Sequence, residues 1–406
     1  MTTSDRATAN IFATDSLVQL EFAKVVKLVV GNTQTPYGKL LAAELMPLHD
    51  HRQIFQALRE TEEARLILQE DGPLRLGSGG DLLPHFETLH TEGLRLEPEV
   101  LRDVQSALEA ASATRQQLLN SEHSSLLTAF AKRLTPIPGL LAELRRSIGE
   151  RGEVLDSASF ELADLRHSIK QERTRVRRQL EKLLQDESLQ GVFQESLVTD
   201  RNGRYVVPVR ADHSGRLKGF VHDVSASGQT LYLEPATTLE SNNRIQTTLH
   251  KIAREEERIL AGLTAGVRKV RKELAANQAV LARLDLRQAI ARLTVEMDGI
   301  VPELAEQPCL GLHDARHPLL VAAKLADSDA PSPVPVDVRL AEECQALIIS
   351  GPNTGGKTVA LKTAGLLVLM VRAGMPIPCA PGSRLFPFSR VMTDIGDEQS
   401  IEASLS

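Results

Sequence analysis

Between residues 16 and 70, apolar side chains recur at helical spacing: Leu20, Phe22, Val25, Val26 and Val29, then Leu40, Leu41 and Leu45, then Ile54, Leu58 and Leu66. This pattern predicts helices interrupted at Pro36 and Pro47, because proline removes an amide donor and clashes with the preceding turn. The glycine-rich stretch 72–80 predicts a loop, and two further helices are expected over about 97–120 and 121–147. A glycine turn at Gly149 and Gly152 leads into a helix expected over about 157–190. Its apolar positions Leu162, Leu165, Ile169, Val176, Leu180 and Leu183 form a coiled-coil seam.

After Gly191 the period changes from helical to two. Tyr205, Val207 and Val209 alternate with Val206, Pro208 and Arg210, and Asn202-Gly203 before them is a strong hairpin signal. Strands over about 220–223 and 230–233, turned at Ser227 and Gly228, complete an expected antiparallel sheet of roughly 40 residues. Helix resumes near Thr237. Ile252, Ile259, Leu263, Val267, Val270, Leu274, Leu281 and Leu284 form a second seam, without proline as far as Met297, which predicts one continuous helix of roughly 65 Å. Two long helices flanking a small sheet describe an antiparallel arm with a β-tip. A compact bundle with an inserted hairpin is the alternative.

Pro302 and Pro308 close the arm, and a stretch containing Pro331, Pro333 and Pro335 leads to the apolar run Ala346 to Ser350, expected as a buried parallel strand. No fixed repeat and no low-complexity tract are present. At 406 residues, 42% apolar and 25% charged, the chain has room for several domains. Cys309, Cys344 and Cys379 lie too far apart to suggest a zinc site or a disulfide framework. The start Met1-Thr2-Thr3-Ser4-Asp5 lacks signal-peptide order and no apolar run is long enough to span a membrane, so a cytoplasmic protein is expected. A net charge of −6 places any nucleic-acid contact in local patches.

The chemistry is concentrated after the predicted strand. Gly351, Pro352, Asn353, Thr354, Gly355, Gly356, Lys357 and Thr358 fit the G-x-x-x-x-G-K-[ST] phosphate loop. Glycines let backbone amides turn toward phosphate oxygens, and a helix from about Lys357 to Arg372 aims its positive end at the same anion. Lys357 is expected at the β and γ phosphates of ATP or ADP, and Thr358 on Mg²⁺. Adenine is expected to lean on apolar residues near Val334. His317 either packs near the nucleotide or orders the chain before Pro318.

Around the loop stand Ala315 to Leu320, reading Ala-Arg-His-Pro-Leu-Leu, and Asp394 to Ser406, reading Asp-Ile-Gly-Asp-Glu-Gln-Ser-Ile-Glu-Ala-Ser-Leu-Ser. Further upstream are Gly152 to Ser159 and Val221 to Gly228. Together these segments resemble the MutS family, specifically its second bacterial branch, which does not perform mismatch repair. The resemblance covers nearly the whole chain. It implies a mostly α fold with α/β parts: a helical core and lever over 1–150, a first arm helix over 151–195 and a β-rich clamp tip over 196–236. A returning arm helix over 237–300 and a partial ABC-type ATPase domain over 301–406 complete it. By the same likeness Gln399 senses Mg²⁺ and γ-phosphate, and Ser404 and Ser406 begin the signature that caps ATP across a homodimer.

The resemblance further implies an ATPase and endonuclease that binds branched DNA, suppresses homologous recombination, and senses and splits collided ribosomes. The family's pattern continues past Ser406 with the Asp-Glu pair that positions attacking water, so these 406 residues are expected to bind nucleotide weakly without turnover. Two rivals are a non-catalytic nucleic-acid-binding and dimerisation module and a structural coiled-coil chromosome ATPase; in the latter class the loop precedes the arm.

Two cationic regions are candidates for nucleic-acid contact. On the first arm helix Arg166, Lys170, Arg173, Arg175, Arg177, Arg178 and Lys182 face only Glu172 and Glu181. The bland reading pairs that stripe with Glu255, Glu256 and Glu257 of the second arm helix. In the tip, Arg201, Arg204, Arg210, His213, Arg216 and Lys218 cluster with Tyr205 and Phe220, and the tip is the favoured contact. His222, Asp223 and Glu234 there read as strand-end polar residues rather than a metal or acid–base site.

Overall fold

The computed structural model describes residues 14–89, 95–341, 343–352 and 356–395. The first helices are α1 (Thr14–Gln19), α2 (Phe22–Asn32), α3 (Pro36–Ala43), α4 (His51–Glu70) and α5 (Leu83–Thr88). Then come α6 (Pro98–Asn120), α7 (Thr128–Arg133), α8 (Pro138–Ser147) and α9 (Phe160–Leu184). A sheet follows, made of β1 (Thr199–Arg201), β2 (Arg204–Arg210), β3 (Gly219–Val224) and β4 (Thr230–Pro235). The chain continues through α10 (Leu239–Lys269), α11 (Arg271–Glu296), β5 (Glu303–Leu304), β6 (Leu310–Ala315) and α12 (Pro318–Ala326). β7 (Val336–Leu340), α13 (Lys357–Arg372) and β8 (Arg384–Leu385) complete it. The fold is mostly α with two small sheets, and among the described residues no helix is long and apolar enough to cross a membrane.

By compactness the chain forms two units. The first draws on Met1–Pro84, Ser106–Ile137 and Val270–Ser406, the second on His85–Gln105 and Pro138–Lys269.

Helix α11 runs through the core of the first unit and is buried on nearly all sides, packing against α2, α3 and α4. A helix buried all round must satisfy its polar side chains internally. Asn277 accepts from the Thr135 amide (2.8 Å), Gln278 from the Leu82 amide (3.0 Å) and Gln288 from the Leu74 amide (2.5 Å). Asp285, fully buried, accepts from the Gln34 amide (2.9 Å), the Thr35 amide (2.8 Å) and Thr35 Oγ1 (2.6 Å). Pro36 opens α3 at the position where its missing amide costs nothing, and Thr35 caps that helix by accepting from the Gly38 amide at 3.0 Å. A Cβ on residue 38 would lie 2.1 Å from Asp285 Oδ2, so the close approach of α3 to α11 requires glycine there.

The sheet of this unit has the order β5-β8-β6-β7, with β5 and β8 parallel and the other pairs antiparallel. The apolar run Ala346–Ser350 is not the buried parallel strand that its composition predicts. It pairs with no strand among the described residues, Ile348 is 90% exposed, and Leu347 is also exposed. Strand character is non-local: an apolar run becomes a strand only where neighbouring chain satisfies its amides.

In the second unit α9 and α10 lie side by side and run antiparallel. Ser159 at the start of α9 meets Glu255 (2.6 Å), while Glu172 further along it meets Arg244, earlier on α10 (3.7 Å), so contacts advance along one helix as they recede along the other. Leu162, Ile169, Val176 and Leu180 are buried on α9, and Ser159 caps it by accepting from the Leu162 amide. The tip sheet is antiparallel throughout, ordered β1-β2-β4-β3. Asn202 (φ 54°) and Gly203 (φ 74°) both take the left-handed conformation that the two-residue hairpin turn demands.

Three helix boundaries differ from the periodicity. The expected helix over 121–147 is split into α7 and α8, because Pro136 and Pro138 force extended chain after Leu134. The helix expected over 157–190 ends at Leu184, followed by a 3₁₀ turn at Glu187–Leu189. The continuous 65 Å helix is interrupted at Val270 (φ −112°, ψ 17°). There the one-sided seam of α10 gives way to the all-round burial of α11, and α10 alone reaches about 46 Å.

Candidate functional site

The segment leading into α13 begins from backbone chemistry. Gly356 sits at φ 77°, ψ 11° as the residue capping α13, a left-handed conformation that costs a side-chain-bearing residue about 1–2 kcal/mol. The first amides of α13 have no partner within the helix and present a positive end to an anion. Lys357 folds back over the loop, its Nζ donating to the Gly351 carbonyl (2.5 Å) and the Pro352 carbonyl (2.6 Å). Thr358 follows as the second residue of the helix. Behind this turn α13 is anchored by Leu366, Leu367, Leu369 and Val371, all fully buried.

The loop opens onto a cavity of about 440 Å³ whose walls include Ser350, Gly356, Lys357, Ala360, Leu320 and the row Pro331–Val336. Val334, 84% exposed, lines this cavity together with Lys357, where the sequence places the adenine. This donor set suits an anion: Gly356 leaves the approach to the amides free of any Cβ, and Lys357 supplies a positive charge beside them. Asn353, Thr354, Gly355, Gln399, Ser404 and Ser406 lie outside the described residues.

His317 is not among the residues lining that cavity. It precedes α12, is 2% exposed, and neither ring nitrogen has a hydrogen-bond partner. Burial depresses its pKa to about 4, with the Lys362 charge pushing the same way and Glu21 opposing. Lys362, itself buried on α13, donates to Glu21 at 3.2 Å. An imidazole whose folded pKa lies below its unfolded value of about 6.5 leaves the unfolded state binding more protons, so its contribution to stability is complete above pH 6.5 and is lost as pH falls toward 4. The stability difference between wild type and His317→Leu should therefore change by about 2–3 kcal/mol between pH 7 and pH 4.5 in urea unfolding. Parallel pH curves for the two proteins would show that the imidazole is not held neutral.

The tip cations are largely engaged by internal partners. Arg201 pairs with Asp223 (3.2 Å) and lies 4.0 Å over the ring of Tyr232. Arg204 donates to both oxygens of the fully buried Glu234 (2.8 and 2.9 Å) and to Asn243 (2.6 Å). Arg210 pairs with Asp212 at 3.2 Å and Arg216 donates to the Ser188 carbonyl at 2.8 Å, while Lys218 is exposed. Glu234 also meets His222 Nε2 (2.5 Å) and the Asn242 amide (2.8 Å), a buried network that the sequence reads only as strand-end polarity. Among the described residues no cluster of His, Cys, Asp or Glu could hold a metal ion.

Along 97% of its length the chain is 43% identical to Endonuclease MutS2 of Thermomicrobium roseum, covering 50% of that protein. It is 38% identical to Endonuclease MutS2 of Pelotomaculum thermopropionicum over 96% of the chain and 49% of the relative. The same figures hold for Endonuclease MutS2 of Brevibacillus brevis. The chain spans about half the length of the curated relatives it matches. No protein-family model matches it.

Proposed function

The chain belongs to the MutS2 family, and we propose that it carries the nucleotide-binding and nucleic-acid-holding portion of such a protein. In this reading ATP or ADP with Mg²⁺ occupies the cavity at the head of α13, and bound nucleotide biases a clamp that closes on nucleic acid. The antiparallel pair α9 and α10 with its sheet forms the arm and clamp tip, the helices of the first unit form core and lever, and residues from about 301 onward form part of an ABC-type ATPase. The relatives' name is that of an endonuclease, and our reading of the whole protein is a homodimer acting on branched DNA, with collided ribosomes as a second client. The observation that carries the reading is the glycine-capped helix start with Lys357 above it, opening on a cavity of about 440 Å³.

The chemistry asked of these residues is binding and orientation. Backbone amides of the loop would wrap the β-phosphate, Lys357 would swing from the Gly351 and Pro352 carbonyls to the β and γ oxygens, and Thr358 would ligate Mg²⁺. Calorimetric titration with ATP, ADP and AMP in the presence of Mg²⁺ tests this. Saturable one-to-one binding of ATP and ADP, with AMP at least about tenfold weaker, is expected because AMP lacks the phosphates that the loop grips. Equal affinity for all three would remove the phosphate loop from the account.

A further inference from the structure

The charge stripe on α9 is only partly neutralised by the helix it packs against: Arg166, at its start, pairs with Glu256 (2.6 Å). The other glutamates of α10 have partners outside the stripe: Glu240 pairs with Arg244 (3.2 Å), Glu255 with Arg258 (2.6 Å) and Glu257 with Arg95 (3.4 Å). On α9 itself Glu181 pairs with Arg177 (3.2 Å), and Glu172 reaches Arg175 only at 4.0 Å. Lys170, Arg178 and Lys182 are exposed, and among the described residues no carboxylate lies within ion-pair distance of them. Arg178 and Lys182 are one turn apart, an arrangement that costs an isolated helix about 0.2–0.5 kcal/mol. The tip shows the opposite pattern, with four of its cations already satisfied.

We propose that this exposed face of α9 receives the sugar–phosphate backbone of duplex DNA. The inference rests on the nucleic-acid reading above and moves its contact from the tip to the helix. From Lys170 to Lys182 the stripe is about 18 Å long, and over that distance B-form DNA presents roughly ten phosphate charges. At about 100° per residue, Lys170 and Lys182 diverge by about 120° around the helix axis, so they reach toward opposite flanks while Gln171 and Thr174 occupy the middle. That layout suits a helix face laid along the mouth of a B-form major groove, about 12 Å wide, with cations on both phosphate rims. The major groove of A-form RNA is too narrow for it. The opposite face of α9 is buried through Leu162, Ile169, Val176 and Leu180, so no other side of the helix is available.

The test is fluorescence anisotropy of labelled duplex DNA with the full chain between about 50 and 200 mM salt. Replacing three phosphate-facing cations in a Lys170→Gln, Arg178→Gln, Lys182→Gln variant should lower the slope of log affinity against log salt by about 2.7 and weaken low-salt binding at least about tenfold. Lys218→Gln should change affinity by less than about twofold, and Lys170→Arg with Lys182→Arg should bind like wild type. An unchanged circular dichroism spectrum confirms that the triple variant is folded, as expected for exposed positions. A triple variant with wild-type affinity and slope would overturn the proposal while leaving nucleic-acid binding intact. An RNA duplex bound more tightly than DNA would overturn the assignment to DNA. Failure of the wild type to bind any duplex would instead overturn the clamp reading on which the proposal rests.

Discussion

Lys357→Ala should weaken ATP binding by about a hundredfold. The ammonium now makes two short hydrogen bonds to loop carbonyls, at 2.5 and 2.6 Å, and would exchange them for two charge-assisted bonds to phosphate oxygens. Each such bond contributes about 1.5 kcal/mol or more, and about 2.8 kcal/mol in total corresponds to a factor of a hundred. Because AMP ends at its α-phosphate, its affinity should change far less. Lys357→Arg should not restore ATP binding: the planar guanidinium is larger than the ammonium that the Gly351 and Pro352 carbonyls hold between them. Calorimetry on the three proteins decides the matter, and an equal loss for ATP and AMP would mean that the lysine supports the fold rather than the phosphates.

The second large effect concerns the core. Asp285→Ala should destabilise the first unit by about 3–5 kcal/mol, because it strands the buried amide and hydroxyl of Thr35 and takes the acceptor from the Gln34 amide. Thr35→Val, which removes the hydroxyl that caps α3 but leaves the carboxylate bonded to both amides, should cost about 1 kcal/mol. Chemical denaturation of the full chain reads both values, and a loss below about 1 kcal/mol for Asp285→Ala would show that other groups can satisfy those amides.

The contrast between these two sites shows what a sequence makes legible. The start of α13 can be read locally, since glycines before Lys357 and an apolar stretch after it mark a helix start, and α13 runs over Lys357–Arg372 as expected. The Asn202-Gly203 hairpin is legible for the same reason: the left-handed turn is written in two adjacent residues. Asp285 is not legible. It stands among Leu281, Leu284 and Leu286 as one polar position on a helix, and its partners lie some 250 residues earlier. The interruption at Val270 carries no proline or glycine to announce it. Counting cations in the tip could not reveal that Arg204 is committed to Glu234, because ion pairing across strands depends on register. The exposed run at 346–350 makes the same point for strands, whose partners are set by distant chain.

Glu234 gathers β2 through Arg204, β3 through His222 and the start of α10 through Asn242 onto one carboxylate sealed from solvent. Three separate stretches of backbone are thereby riveted at a single point. Such a junction resists shear between strands and helix, so the end of the hairpin pair should respond to load as a stiff lever-end, passing displacement along the two helices instead of absorbing it.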